Sequence, residues 1–314
     1  MNIFTLEEIR SVLPELDLMP AIEEAFVRYS AGDAVVPPVG ELLRDKGEVH
    51  IKYGYTQGGD YYVIKIASGF YGNPQLGLPS SNGMMLLFNQ DTGRPEAVLL
   101  DEGYLTDIRT AVAGAIAAKY LAPRDVHKIG IVGTGIQARL QLRHLKEVTP
   151  CRNVLVWGRG RAQLEAYREE MESEGFQIET TLDTAELQQA CNLIITTTPS
   201  TGPLLHAKYL QPGTHITAVG SDMPHKQELD PHILARADLV VADSIPQCVK
   251  QGEIYQAIKA GLLAEEDLVE LGQIISGEAD GRTDDDQITV ADLTGVAVQD
   301  IGIATAVVQQ LLQS

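Results

Sequence analysis

The run Lys128-Ile129-Gly130-Ile131-Val132-Gly133-Thr134-Gly135-Ile136-Gln137-Ala138 joins a short apolar stretch to a G-x-G-x-x-A turn. Between a strand and a helix, each position of such a turn has a chemical task. Gly133 permits the tight bend, Gly135 lets backbone approach a pyrophosphate, and Ala138 keeps the helix close to the strand. Thr134, Ile136 and Gln137 complete the turn and open the helix, whose first N–H groups and positive dipole end attract the anion. The expectation is bound NAD or NADP; the alternative is a glycine turn with a purely structural role. Ribose selection falls about 20 residues on, in Val156-Trp157-Gly158-Arg159-Gly160-Arg161. Gly158 stands where an acid selecting NAD is expected, and Arg159, helped by Arg161, can meet a 2′-phosphate. This favours NADP modestly. If both arginines are solvated residues of a helix start, NAD binds instead.

Two more residues stand where chemistry is plausible. Lys65 lies within VIKIASGF, and a lysine in so apolar a strand is costly unless it sits at an edge or in a pocket. Asp222 follows the apolar run Ile216–Val219, at the carboxyl end of a strand, where α/β ligands bind. Its alternative is a helix N-cap before Pro224. There is no HExxH, no CxxC pair and no carboxylate cluster at ligand spacing, and His206, His215, His225 and His232 are scattered, so no metal is expected. No GxSxG elbow points to a serine hydrolase.

These residues need elements to hold them. Thr5 and Glu8 form a capping-box pattern ahead of Ile9, Val12 and Leu13. Pro20 is expected to open a second helix that Gly32 ends. VVPPVG is a break. Strands are expected over Tyr61–Ala67, Met84–Phe88 and Glu96–Leu100, with a turn at Asp91-Thr92-Gly93. After a helix over Leu105–Leu121, apolar runs at Ile129–Val132, Val154–Trp157, Leu193–Thr197, Ile216–Val219 and Leu239–Ala242 alternate with helical stretches such as Ala162–Ser173. That alternation is the pattern of a parallel sheet covered on both faces. The fold class expected is α/β: a Rossmann-type doubly wound domain over 123–294, plus an α+β domain over 1–122 completed by a C-terminal helix at about 295–314. The net charge of −19 makes nucleic acid and membrane surfaces poor partners, but does not bar a small anion from a locally basic pocket. The longest apolar stretch, Ala111–Ala118, is too short to span a bilayer. Three cysteines without a CxxC pair read as buried thiols, and MNIFTLEEIR shows no signal-peptide pattern, so a cytoplasmic location is expected.

With these residues in place, the chain resembles the ornithine cyclodeaminase/μ-crystallin family over nearly its whole length. The matching pieces are LTDIRTAVAGAIAAKYLAP, GTGIQA, PGTHITAVGSDMPHKQELD, QGE and GVAVQDIGIATA. The resemblance implies a homodimer whose α+β domain binds a small carboxylate or imine substrate. It implies hydride addition to a C=N bond, which needs a cation for the α-carboxylate, an acid for the nitrogen and exclusion of water. Arg109, in the family's RT motif, suits bidentate carboxylate binding. Lys65 is the implied active-site lysine, Asp222 the implied acid–base, and Arg44 a further carboxylate ligand whose surroundings match less well. Thr110, Thr198, Pro199, Val219 and Ser221 are implied neighbours of the cofactor.

The chain departs from the family in the stretch Val49-His50-Ile51-Lys52-Tyr53-Gly54. Many relatives carry a Met-Pro pair there, and ornithine cyclodeaminases a glutamate facing a distal ammonium. Lys52 repels an ammonium and attracts a second carboxylate. With His50 it points to a dicarboxylate imine, such as iminosuccinate reduced to aspartate. The alternatives are an alanine dehydrogenase or a pyrroline-2-carboxylate or ketimine reductase, a cyclodeaminase lyase, and a non-catalytic ligand binder like a crystallin.

Overall fold

The computed structural model describes residues 1–70 and 72–313, and the backbone alone for Pro74. The chain divides into two compact units, one made of Met1–Arg109 with Val296–Ser314, the other of Thr110–Gly295. The division falls inside a helix, ahead of the sequence-based boundary at 122/123. From Thr110 on, that helix is bound to the second unit: Gln141 Nε2 donates to Thr110 O, and Arg282 Nε donates to Leu121 O. Among the described residues, no helix is long and apolar enough to cross a membrane.

The first unit is built on seven strands: β1 (Asn2–Thr5), β2 (Ala34–Val35), β3 (Gly40–Arg44), β4 (Gly47–Thr56), β5 (Tyr61–Gly69), β6 (Ser81–Asn89) and β7 (Pro95–Leu100). They run in the order β1-β7-β6-β5-β4-β2, with β3 also on β4. All pairs are antiparallel except β1 with β7. Helices α1 (Leu6–Val12), α2 (Leu18–Ser30), the start of α3 (Tyr104–Leu121) and a C-terminal helix over 297–311 complete the unit. The capping box forms as expected, with Glu8 N donating to Thr5 Oγ1 and Thr5 N to Glu8 Oε2. Asp17, not Pro20, starts α2: its carboxylate caps Met19 N, and Pro20 fits the first turn, where its missing N–H costs nothing. The period-two alternation of the strands buries Val63, Met85, Leu87 and Leu99 with Ile22 and Phe26. Each fully buried side chain of this size contributes about 1.5–3 kcal/mol.

The second unit holds an eight-stranded sheet, parallel throughout, in the order β10-β9-β8-β11-β13-β17-β15-β16. Its elements are β8 (Ile129–Val132), α4 (Ile136–His144), β9 (Asn153–Trp157), α5 (Arg161–Ser173), β10 (Gln177–Thr181), α6 (Thr184–Ala190), β11 (Leu193–Thr196), β12 (Thr201–Leu205), β13 (His215–Ala218), β14 (Gln227–Leu229), α7 (Pro231–Arg236), β15 (Leu239–Ala242), α8 (Ile245–Cys248), α9 (Gly252–Lys259), β16 (Leu268–Glu270), α10 (Leu271–Ser276) and β17 (Thr289–Asp292). The C-terminal helix is α11 (Ala297–Leu311). The five expected apolar runs are all strands. β17 was not expected; it lies between β13 and β15 and is buried at every position. Sequence order runs outward from β8 to β10 and then restarts at β11 on the other side. That reversal makes the crevice at the carboxyl ends of β8 and β11 the topological switch point.

Candidate active site

In the first unit, the sheet face covered by α11 carries the cations. Antiparallel register sets Lys52 of β4 directly opposite Lys65 of β5, and Lys65 opposite Met85 of β6. Opposed residues share a face, and this one is closed: Lys65 is 2% exposed, Arg109 of α3 5% and Lys52 7%. Asp300, one turn into α11, supplies the counter-charge. Its carboxylate lies 2.9 Å from Lys65 Nζ and 2.9 Å from Arg109 Nε, while Arg109 Nη1 donates to Gln299 Oε1 at 2.8 Å. Burial, with the charges of Arg109 and Lys52, pulls Lys65 down to about 7 against the opposing pull of Asp300. Burial pushes Asp300 upward, but Arg109, Lys65 and Lys52 outweigh it and hold the carboxyl below its ordinary value. Burial lifts Asp101, at the end of β7, above its ordinary value.

Among the described residues of this unit, four side-chain polar atoms are buried without a hydrogen-bond partner: His50 Nε2, Asp101 Oδ1, Gln299 Nε2 and Asp300 Oδ2, the last 2.9 Å from the Lys65 charge. Such atoms are costly unless something else meets them. An anionic ligand on this face would meet the nitrogens of His50 and Gln299, and an N–H donor of the ligand would meet a carboxylate oxygen. His50 shares the face of Lys52, two residues along β4, and its Nε2 is 3.7 Å from Glu48 Oε1. Arg44 is not brought here. It is exposed at the tip of the β3–β4 hairpin, opposite Gly47, and so on the face away from Lys52.

In the second unit, a cavity of about 300 Å³ opens at the switch point, lined by Gly133, Thr134, Gly135, Trp157, Gly158, Arg159 and Thr197–Ser200. Gly133 has φ +121°, and a Cβ there would stand 2.6 Å from Thr197 Oγ1, so only glycine fits. Gly135 differs: its φ is −82°, and a Cβ would meet nothing within 4 Å. The open cradle beside it fits a pyrophosphate, and α4 begins there without any side-chain cap, leaving its first N–H groups for an anion. Ala138 is fully buried under the turn, whereas Ile136 is exposed at its rim. Gln137 is held by Gln141, which also binds Thr110 O. Arg139 steadies the turn from behind by donating to Thr134 O and Gly135 O. Arg159 is exposed in the cavity wall. Pro199 lines the cavity, while Val219 is buried and donates its N–H to Thr196 O.

Asp222 lies in the loop after β13 and caps no helix, because residues 221–226 form no helix. Its carboxylate is half-exposed and pairs with the buried Lys226 Nζ at 2.7 Å. Ser221 turns into the same loop and donates to Lys226 O. Below the loop are buried carboxylates that the sequence reading missed. Burial raises Glu228 to about 7, and burial with the charge of Glu228 raises Glu253 to about 8. Asp300, Gln299 and Asp101 were missed likewise. The signal for Gln299 and Asp300 was an adjacent Gln-Asp pair in an otherwise apolar helix start, GVAVQDIGIATA; Asp101 had none. Among the described residues, no group of three or more His, Cys, Asp or Glu is placed to hold a metal. All three cysteines are buried.

A Rossmann-type sheet with a glycine turn at its switch point, together with an α+β unit holding buried cations, defines the class. The chain belongs to the Ornithine cyclodeaminase/mu-crystallin family, whose model it matches over residues 2–314. It is 38% identical to an alanine dehydrogenase of Archaeoglobus fulgidus, over 99% of this chain and 95% of that one. It is 33% identical to an iminosuccinate reductase of Paracoccus denitrificans, over 98% and 96%. Among solved structures, a Thermococcus litoralis Delta(1)-pyrroline-2-carboxylate reductase in complex with NADH and L-proline is similar with a TM-score of 0.93 at 27% identity, covering 100% of this chain and 98% of that one.

Proposed function

We propose that the protein is an NAD(P)H-dependent reductase of an imine adjacent to a carboxylate, yielding an amino acid, and that its substrate is a dicarboxylate imine such as iminosuccinate. The observation that carries this reading is the burial of three cationic side chains in one unit: Lys52 directly opposite Lys65 on one sheet face, and Arg109 held with Lys65 by Asp300. Buried cationic side chains at these positions favour a carboxylate over an ammonium, and Lys52 adds a second such position beside Lys65. The relatives' names support the chemistry: an iminosuccinate reductase, an alanine dehydrogenase and pyrroline-2-carboxylate reductases.

Unit by unit, the roles are these. Arg109 and Lys65 hold the α-carboxylate, and Lys52 with His50 takes the distal one; Arg44 is assigned no contact. Asp222 holds the proton for the substrate nitrogen, with Lys226 fixing its orientation. A dihydronicotinamide held in the switch-point cavity would supply a hydride to the imine carbon, and with the proton held at Asp222 the C=N bond would become CH–NH. Residues 133–138, Arg159 and the loop of Thr198 and Pro199 hold the dinucleotide; Arg159 favours NADP, with NAD accepted as well. The first unit is also the dimerisation domain. Its uncovered sheet face presents Tyr53, Tyr55, Met84, Leu100 and Ile3, each more than a third exposed, and a second copy is the occupant this face suits. A solved structure similar at 36% identity is an archaeal alanine dehydrogenase dimer with bound NAD.

The test offers NADH or NADPH with ammonia and, in turn, oxaloacetate, pyruvate, glyoxylate and a cyclic imino acid. Oxaloacetate should give the fastest loss of nicotinamide absorbance, and Lys52→Glu should suppress that substrate most. Full activity of Lys52→Glu on oxaloacetate would remove the dicarboxylate assignment. Ornithine turnover without net coenzyme change would replace the reductase by a lyase.

A further inference from the structure

Glu228, in β14, is fully buried, and both of its carboxylate oxygens are in use. Oε1 accepts from Thr198 N at 2.6 Å and Thr198 Oγ1 at 2.7 Å. Oε2 accepts from Thr196 Oγ1 at 2.7 Å and Gly220 N at 2.9 Å. The donors come from two segments: the end of β11 running into the loop that lines the nucleotide cavity, and the turn after β13 that leads to Asp222. The two backbones touch, since a Cβ on Gly220 would lie 2.2 Å from Thr198 O. Only an ionised carboxylate satisfies all four donors, because a carboxylic acid or an amide presents a donor of its own.

We infer that Glu228 is a positioning residue, whose carboxylate clamps the Thr198 wall of the nucleotide cavity to the Gly220–Asp222 turn and so sets both the coenzyme's seat and Asp222. The inference rests on the dinucleotide reading above. Other ionisable groups surround the clamp. Glu253 of α9 accepts Glu228 N at 2.7 Å, Asp292 of β17 lies behind Glu253, and Lys226 precedes Glu228 in an ion pair with Asp222. Burial lifts Glu228 to about 7 in spite of its donors, so acid removes the clamp while leaving the chain folded. The sign separates two roles. A carboxyl raised above its ordinary 4.5 stabilises the fold most at low pH, and that contribution falls as pH rises through about 7. The clamp behaves oppositely and is complete only above about 7.

The experiment titrates the intact chain with NADH, followed by nicotinamide fluorescence, on both sides of that pH. Wild-type affinity should weaken as pH falls through about 7. Glu228→Gln should bind roughly tenfold or more weakly above it, lose the pH dependence, and keep its melting temperature in acid. Thr196→Val removes a buried donor that favours the ionised form, so the midpoint should move to higher pH. This second variant decides the matter if Glu228→Gln does not fold. Wild-type affinity in Glu228→Gln above the midpoint, or an unmoved midpoint in Thr196→Val, overturns the inference. A wild-type chain that binds neither NADH nor NADPH at any pH sinks the dinucleotide reading instead.

Discussion

Replacing Asp300 by asparagine keeps the shape of the side chain and removes the charge that stands between Lys65 and Arg109. Asp300 lies 2.9 Å from Lys65 Nζ. At that distance and an effective dielectric of about 20, the attraction is about 6 kcal/mol, an upper bound on what the pair contributes. Neighbours of this kind move a titration by roughly one to three pH units. Lys65, at about 7 with Asp300 present, should therefore lose its proton roughly one to three pH units lower in Asp300→Asn. The proposed role of Lys65 needs the protonated amine, so kcat/KM should fall as pH rises through its titration, and in the variant that basic limb should lie further to the acid side. The assay is the pH profile of nicotinamide oxidation, with nitrogen NMR of the lysine Nζ as a direct check. Leaving two buried cations unpaired should also destabilise the chain by about 3–5 kcal/mol. Adding Lys65→Met should restore part of that loss. A basic limb at the same pH in both proteins would refute the reasoning.

Arg159→Ala should raise KM for NADPH about tenfold, from loss of a charge-assisted contact, and leave KM for NADH nearly unchanged; equal effects on both would remove the 2′-phosphate assignment. Glu253 sits at about 8, above its ordinary 4.5, so its contribution to stability is present in acid and lost as pH rises through about 8. Glu253→Gln should flatten the fall of melting temperature over that range, and an unchanged slope would contradict the assignment. The joint variant Tyr53→Glu, Met84→Glu places charges on the open sheet face and should halve the mass seen by light scattering. A dimer that survives it uses another face.

The glycine turn was readable because its chemistry is local: a bend, a close approach and a helix start occupy consecutive residues from Gly133 to Ala138. The parallel sheet was readable because each buried strand is an apolar run in its own right. Lys65 drew attention for a similar reason, as one charge in an apolar strand, and long motifs carried Arg109 and Asp222. The tertiary structure alone decided what those charges meet. Asp300 reaches Lys65 across 235 residues of chain, and no local pattern links them. Lys52 belongs with Lys65, and Arg44 does not, because strand register sets two residues on one face and the third on the other. Register comes from pairing between strands, whereas a sequence displays only the period within each. β17 escaped notice although every residue in it is buried, and its place between β13 and β15 is a matter of sheet order. Glu228 shows the limit most clearly. Its four donors come from two separate segments, and only folding brings them around one carboxylate.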